Sequence, residues 1–194
     1  MKTSSTASPN RFLLFLGLVF TLAFTLPATA SADRKAEAEA LTHSLVGLNN
    51  AYQKAAPTAK NGALQKLIDA TVERQALLAE LVETDPGAVL RVAMPERVRK
   101  QMPLEVQAFI ERRLELEGEL EVVYEDYADG SHRLLHSLKT DGRRVSLHFE
   151  KAPAGLLSGT TAQVRGVMVD HSMAVASGEG GEEGRQQQAD TRRG

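Results

Sequence analysis

The stretch RLELEGELEVVYEDY, residues 113–127, constrains the fold of this chain more than any other. Leu114, Leu116, Leu120, Val122 and Tyr124 alternate with Glu115, Glu117, Glu119, Glu121 and Val123. Successive side chains of an extended backbone point to opposite sides, so a period of two puts one set on each face of a half-buried strand. A helix would scatter the same residues around its axis. Gly118 falls on the apolar side. A glycine inside a long strand marks a bulge or a sharp bend, the device that coils a strand into a barrel.

The residues downstream continue in the same vein. ADG (128–130) and TDG (140–142) are hairpin signals. Between them lies SHRLLHSLK, and RRVSLHFE (143–150) follows, with Val145, Leu147 and Phe149 on one face. KAPAGLLSGT (151–160) is a connector, and TAQVRGVMVD (161–170) and HSMAVAS (171–177) read as the fourth and fifth strands. Five strands, the first bent and the third and fourth joined by a longer connector, predict a five-stranded antiparallel barrel of the oligonucleotide/oligosaccharide-binding (OB) type. A meander sheet packed on helices is the alternative.

Upstream the period is helical. Leu41, Leu45, Leu48 and Tyr52 form one stripe of a helix expected over about 34–55. AAPTAKNG (55–62) reads as a break. Over 63–83 Leu64, Leu67, Ile68, Thr71, Val72, Leu78, Leu81 and Val82 share a broad face, with Glu73, Arg74 and Glu80 expected opposite. The two helices predict an antiparallel hairpin. Asp85 and Pro86 open a short helix that Pro95 closes, and PERVRKQM and PLEVQAFIE read as two further helical turns. RVRK (97–100) is expected to be a solvated helix face. The organisation expected is therefore α+β: a leader over 1–32, a helical region over 33–110, a β-module over 111–177 and a disordered tail over 178–194, where Gly, Glu and Gln leave nothing to bury.

The leader has the anatomy of a secretory signal peptide. Lys2 and Arg11 precede FLLFLGLVFTLAFTL (12–26), an uncharged apolar run of fifteen, and Ala30 and Ala32 form an A-x-A site. The expected cleavage lies between Ala32 and Asp33. The run is shorter than the roughly 20 residues a spanning helix needs, so no membrane span is expected after cleavage. The protein is expected to be exported, to the periplasm or beyond the cell. Removing Lys2 and Arg11 from its 23 basic residues leaves 21 against 25 acidic, a net of −4. That balance argues against a nucleic-acid partner, which needs a basic footprint. The chain has no cysteine, so its core must hold it together without disulfides; that suits a bacterial exported protein of this length.

His132 and His136 are the nearest approach to catalytic chemistry. A zinc peptidase uses H-E-x-x-H on a helix, with the glutamate activating the metal-bound water. Here Arg133 stands in the glutamate's place. On a strand, four steps separate the two α-carbons by about 13 Å, too far for both rings to bind one ion readily. His148 on the next strand is a further weak metal candidate, with Glu117 or Glu119 as partners across the sheet. The expected role of all three is that of polar sheet positions, so no metal or other cofactor is expected. The glutamate row is expected to be a solvated face met by Arg133, Lys139, Arg143 and Arg144. No G-x-S-x-G and no phosphate loop occurs, and Ser158 lacks a strand-to-helix elbow. Tyr124 and Tyr127 are the first strand's only candidates for stacking on a sugar.

Three phrases, LLAELVETDPGAVLRVAMPERVRKQMP, LELEGELEVVYEDYADGSHRLLHSLKTDG and PAGLLSGTTAQVRGV, together resemble a module at the N-terminus of secreted multidomain bacterial proteins. Some of those carry a gametolysin-like zinc metallopeptidase domain downstream. The resemblance covers about residues 62–177 and implies export and a helical-plus-barrel module. It carries over no catalytic residue, and no H-E-x-x-H occurs in the chain. The function expected is a non-enzymatic binding module for a protein or cell-envelope component. The alternative is the pro-region of a secreted zinc metallopeptidase, separated from its catalytic domain.

Overall fold

The computed structural model describes residues 28–153 and 155–180. Five helices precede five strands. Helix α1, Ala28–Lys54, and α2, Pro57–Thr84, pack side by side. Ala38 shares a buried cluster with Leu77, Leu78 and Leu81, while Leu45 shares another with Leu67, so the pair is antiparallel. The break expected over 55–62 shrinks to Ala55 and Ala56. Pro57 opens α2 from its first position, where the N–H that proline lacks would have had no partner in the helix anyway.

The expected apolar face of α2 is buried at Leu67, Thr71, Leu78, Leu81 and Val82. Two positions are corrected: Val72 faces solvent, and Arg74 is 1% exposed. Helix α3, Pro86–Val92, starts as its sequence requires, with the Asp85 carboxylate accepting from the Ala88 N–H at 2.8 Å. Single turns α4, Glu96–Arg99, and α5, Leu104–Gln107, follow Pro95 and Pro103. Arg99 and Lys100 both lie against Glu96, but the expected solvated face holds only for Arg97 and Lys100: Arg99 is largely buried and Val98 packs on the cluster of Leu45 and Leu67.

Strand β1, Arg112–Asp126, pairs first with β4, Thr161–Val169, and then with β2, His132–Thr140. The handover comes at Glu119, which is in register with both Thr161 and Lys139. Gly118 sits beside it, and a Cβ there would stand 2.2 Å from the Lys139 carbonyl oxygen. The bend expected at Gly118 is thus a close backbone approach that only glycine fits. Strand β3, Arg143–Phe149, follows β2 through a two-residue turn in which Asp141 and Gly142 both have positive φ.

The strand order β1-β2-β3-β5-β4 closes on itself as a barrel. Two expectations are corrected by it. The sheet is not antiparallel throughout, because β3 runs parallel to β5, Ser172–Gly180. It is not a meander either, because β5 lies between β3 and β4. The first follows from arithmetic: strand direction cannot alternate around a ring of five, so at least one seam must be parallel. Leu120, Leu138, Leu147, Val164 and Met173 fill the interior. On the outside, Val167, Val169 and Ala174 pack under Leu78, Leu81 and Val89 of the helices.

Strand β5 extends to Gly180, three residues past the expected end of the β-module. The tail from 181 and the leader up to 27 lie outside the described residues, whereas the expected cleavage bond, Ala32–Asp33, falls within α1. Among the described residues no helix is long and apolar enough to cross a membrane.

Candidate functional site

Strands β2 and β3 part company after the His136–Leu147 pair. Beyond that point β3 keeps only its seam with β5, which runs from Ser146 opposite Ser172 to Phe149 opposite Val175. On the other side, the connector follows β1 as far as Val122, whose N–H donates to Ser158 Oγ at 3.1 Å. Residues 123–126 and 132–135 therefore pair only with each other among the described residues, and form a two-stranded arm beyond the barrel.

The arm carries the barrel's inner face out into solvent. Leu120 and Leu138 face each other in the core, Val122 and His136 at the mouth, and Tyr124 and Leu134 on the arm. Tyr124 is 56% and Leu134 52% exposed. At the arm's foot, where β3 has turned away, lies a cleft of about 400 Å³. Arg133, Leu134 and His136 line one wall, His148 to Glu150 another, and the turn between α2 and α3, Glu83–Pro86, a third.

The three histidines are not brought together. The His132 ring stacks on Tyr124 at 5.4 Å on the arm, and the His136 ring meets the edge of Phe149 at 5.3 Å. His148 points to the opposite face of the sheet from Leu147, toward the helices, and its Nε2 is buried with no hydrogen-bond partner among the described residues. Burial lowers the pKa of His148; Glu83 pulls it back up and Arg133 pushes it further down. Burial lowers His136 as well. Among the described residues no group of three or more His, Cys, Asp or Glu side chains is placed to hold a metal ion.

The glutamate row is met across the sheet by two of the expected cations, Lys139 and Arg144, and by Arg165, which was not among them. Glu121 takes Arg144 at 2.6 Å and Lys139 at 3.7 Å, and Glu115 takes Arg165 at 2.9 Å. Arg133 instead stands in register with Glu125, near Tyr127, whose hydroxyl donates to Glu125 at 2.8 Å. Tyr124 and Tyr127 are both exposed, Tyr124 on the arm and Tyr127 just beyond its end.

The buried polar pair Arg74–Glu111 escapes sequence reasoning. Arg74 Nη1 and Nη2 donate to Glu111 Oε2 at 2.5 Å and Oε1 at 2.9 Å. Arg74 also reaches Thr42 Oγ1 and the Val92 carbonyl, and Glu111 accepts from the Met94 N–H. Burial works to raise the Glu111 carboxyl, but the hydrogen bonds and charge of Arg74 outweigh it and hold the group below the usual carboxylate range. A signal was present: 67, 71, 74, 78 and 81 step by four and three, which places Arg74 in the middle of the buried stripe. The pair ties α2 to the residue that opens β1, and so fixes the helices on the barrel.

No protein-family model, no curated protein and no solved structure matches the chain.

Proposed function

We propose that the protein is an exported, non-enzymatic binding module that holds a protein or cell-envelope component on the arm and in the cleft at its foot. The observation that carries this reading is the uncovered continuation of the barrel's inner face at Tyr124 and Leu134, beside a cleft lined by His136, His148 and Phe149. The strand order, the parallel β3–β5 seam and the bend at Gly118 support an OB-like barrel, a fold that presents ligands on its strand faces and loops.

The test is to titrate the isotope-labelled chain, from Asp33 onward, with solubilised cell-envelope fractions and to follow its amide resonances. Shifts confined to residues 83–86, 122–136 and 147–150 are expected. Shifts elsewhere only, or metal-dependent hydrolysis of casein by the purified chain, would overturn the reading. The pro-region of a secreted zinc peptidase is the second reading. It rests on the three sequence phrases, and translating the DNA beyond codon 194 in all frames tests it: without a zinc-binding helix it has no basis.

A further inference from the structure

Resting on the binding-module reading, we infer that the partner is an extended peptide segment of alternating apolar and basic residues, added as a strand along the free edge of β2 at Arg133–Leu135. The edge exists because the β2–β3 ladder ends at the His136–Leu147 pair, so the place beside β2 at residues 133–135 is left as the cleft. Glu150, the residue after β3, lies beside this place: its carboxylate packs on Gly87, where a Cβ would meet it at 2.6 Å, and it takes Arg91 at 3.4 Å. An unpaired strand edge presents backbone donors and acceptors that an incoming strand satisfies. The matching edge of β1 is less suited, because Glu125 and Asp126 crowd it with charge, while the β2 edge carries only Arg133.

The two faces of the cleft set the alternation. A strand laid along β2 turns every second side chain toward Leu134 and Phe149 on the inner face, which calls for apolar residues. The others point toward His148 and Glu83 beneath the helices. Among the lining residues three carboxylates, Glu83, Asp85 and Glu150, stand against one guanidinium, Arg133. Arg91 bridges Asp85 and Glu150, which leaves Glu83 facing the cleft as the complement of a lysine or arginine.

The experiment uses two short blocked fluorescent peptides, one alternating valine with lysine and one valine with glutamate, titrated by anisotropy. The lysine peptide is expected to bind and the glutamate peptide not to. Glu83→Lys, an exposed position whose variant should keep the parent circular dichroism and melting temperature, is expected to weaken the lysine peptide about tenfold or more and to admit the glutamate peptide. Leu134→Asp is expected to abolish binding. Lysine-peptide binding unchanged by both substitutions, equal binding of both peptides, or no binding of either overturns the inference. So does a sedimenting dimer that Leu134→Asp dissociates, since the edge would then belong to a second copy. If envelope fractions shift the arm and cleft amides while the lysine peptide leaves them unmoved, the strand fails and the binding module stands; if neither moves them, both fail.

Discussion

Arg74 of α2 and Glu111, the residue before β1, face each other through two parallel hydrogen bonds, their side chains 1% and 2% exposed. A bidentate pair this deep is a joint: Arg74, Thr42, Val92 and Met94 lie on the helical side, and the Glu111 carboxylate they hold immediately precedes β1.

Removing one partner leaves an uncompensated buried charge. Glu111→Ala and Arg74→Ala are each expected to lower unfolding free energy by about 3–5 kcal/mol in urea titrations. The double replacement Arg74→Met with Glu111→Leu is expected to recover most of that loss, because it buries no charge. A double variant no more stable than the single ones would mean that the pair contributes more than its own desolvation.

Glu111 also sets an acid limb. Its folded pKa lies below the usual carboxylate range, so its contribution is fully present above an unfolded glutamate's pKa of about 4.3 and is lost as pH falls through the folded value. Stability measured from pH 6 down to 3 is expected to fall, and Glu111→Gln is expected to be less stable at pH 6 but to show a shallower decline.

His148 gives a second limb at higher pH. Burial depresses its pKa, so the folded state favours neutral imidazole; that contribution is present above the ordinary value of about 6.5 and is lost on acidification below it. Glu83 of α2 and Arg133 of β2 act on it in opposite directions. Replacing His148 by Phe is expected to flatten the stability profile between pH 7 and 5, with the limb from His136 remaining. An unchanged profile would place the titration elsewhere.

Glycine substitutions separate backbone approach from simple propensity. Gly118→Ala drives a methyl into the Lys139 carbonyl and is expected to destabilise by about 2 kcal/mol or more, with the β1–β2 amides losing exchange protection. Gly47→Ala and Gly62→Ala, within α1 and α2 with nothing within 4 Å, are expected to stabilise by about 0.5–1 kcal/mol each. Thermal melts of the three variants check both signs.

Much of the local structure was legible in the sequence because it depends on neighbours in the chain. The alternation over 113–127, the turn residues Asp141 and Gly142 and the cap at Asp85 each state a backbone requirement that a few adjacent residues satisfy. Tyr124 shows the limit. It belongs to the apolar set of β1, yet it is exposed, because burial depends on which strands run alongside, and β4 pairs with β1 only as far as Glu119.

By itself, then, the sequence determined helix, strand and turn, the bend at Gly118 and the outward glutamate face, since periodicity and dihedral preference act over a few residues. Only the tertiary structure decided the parallel seam, the burial of Arg74 and the cleft left where the β2–β3 ladder ends. Those depend on pairings between residues far apart in sequence, and in a ring of five strands the geometry of closure outranks any local preference.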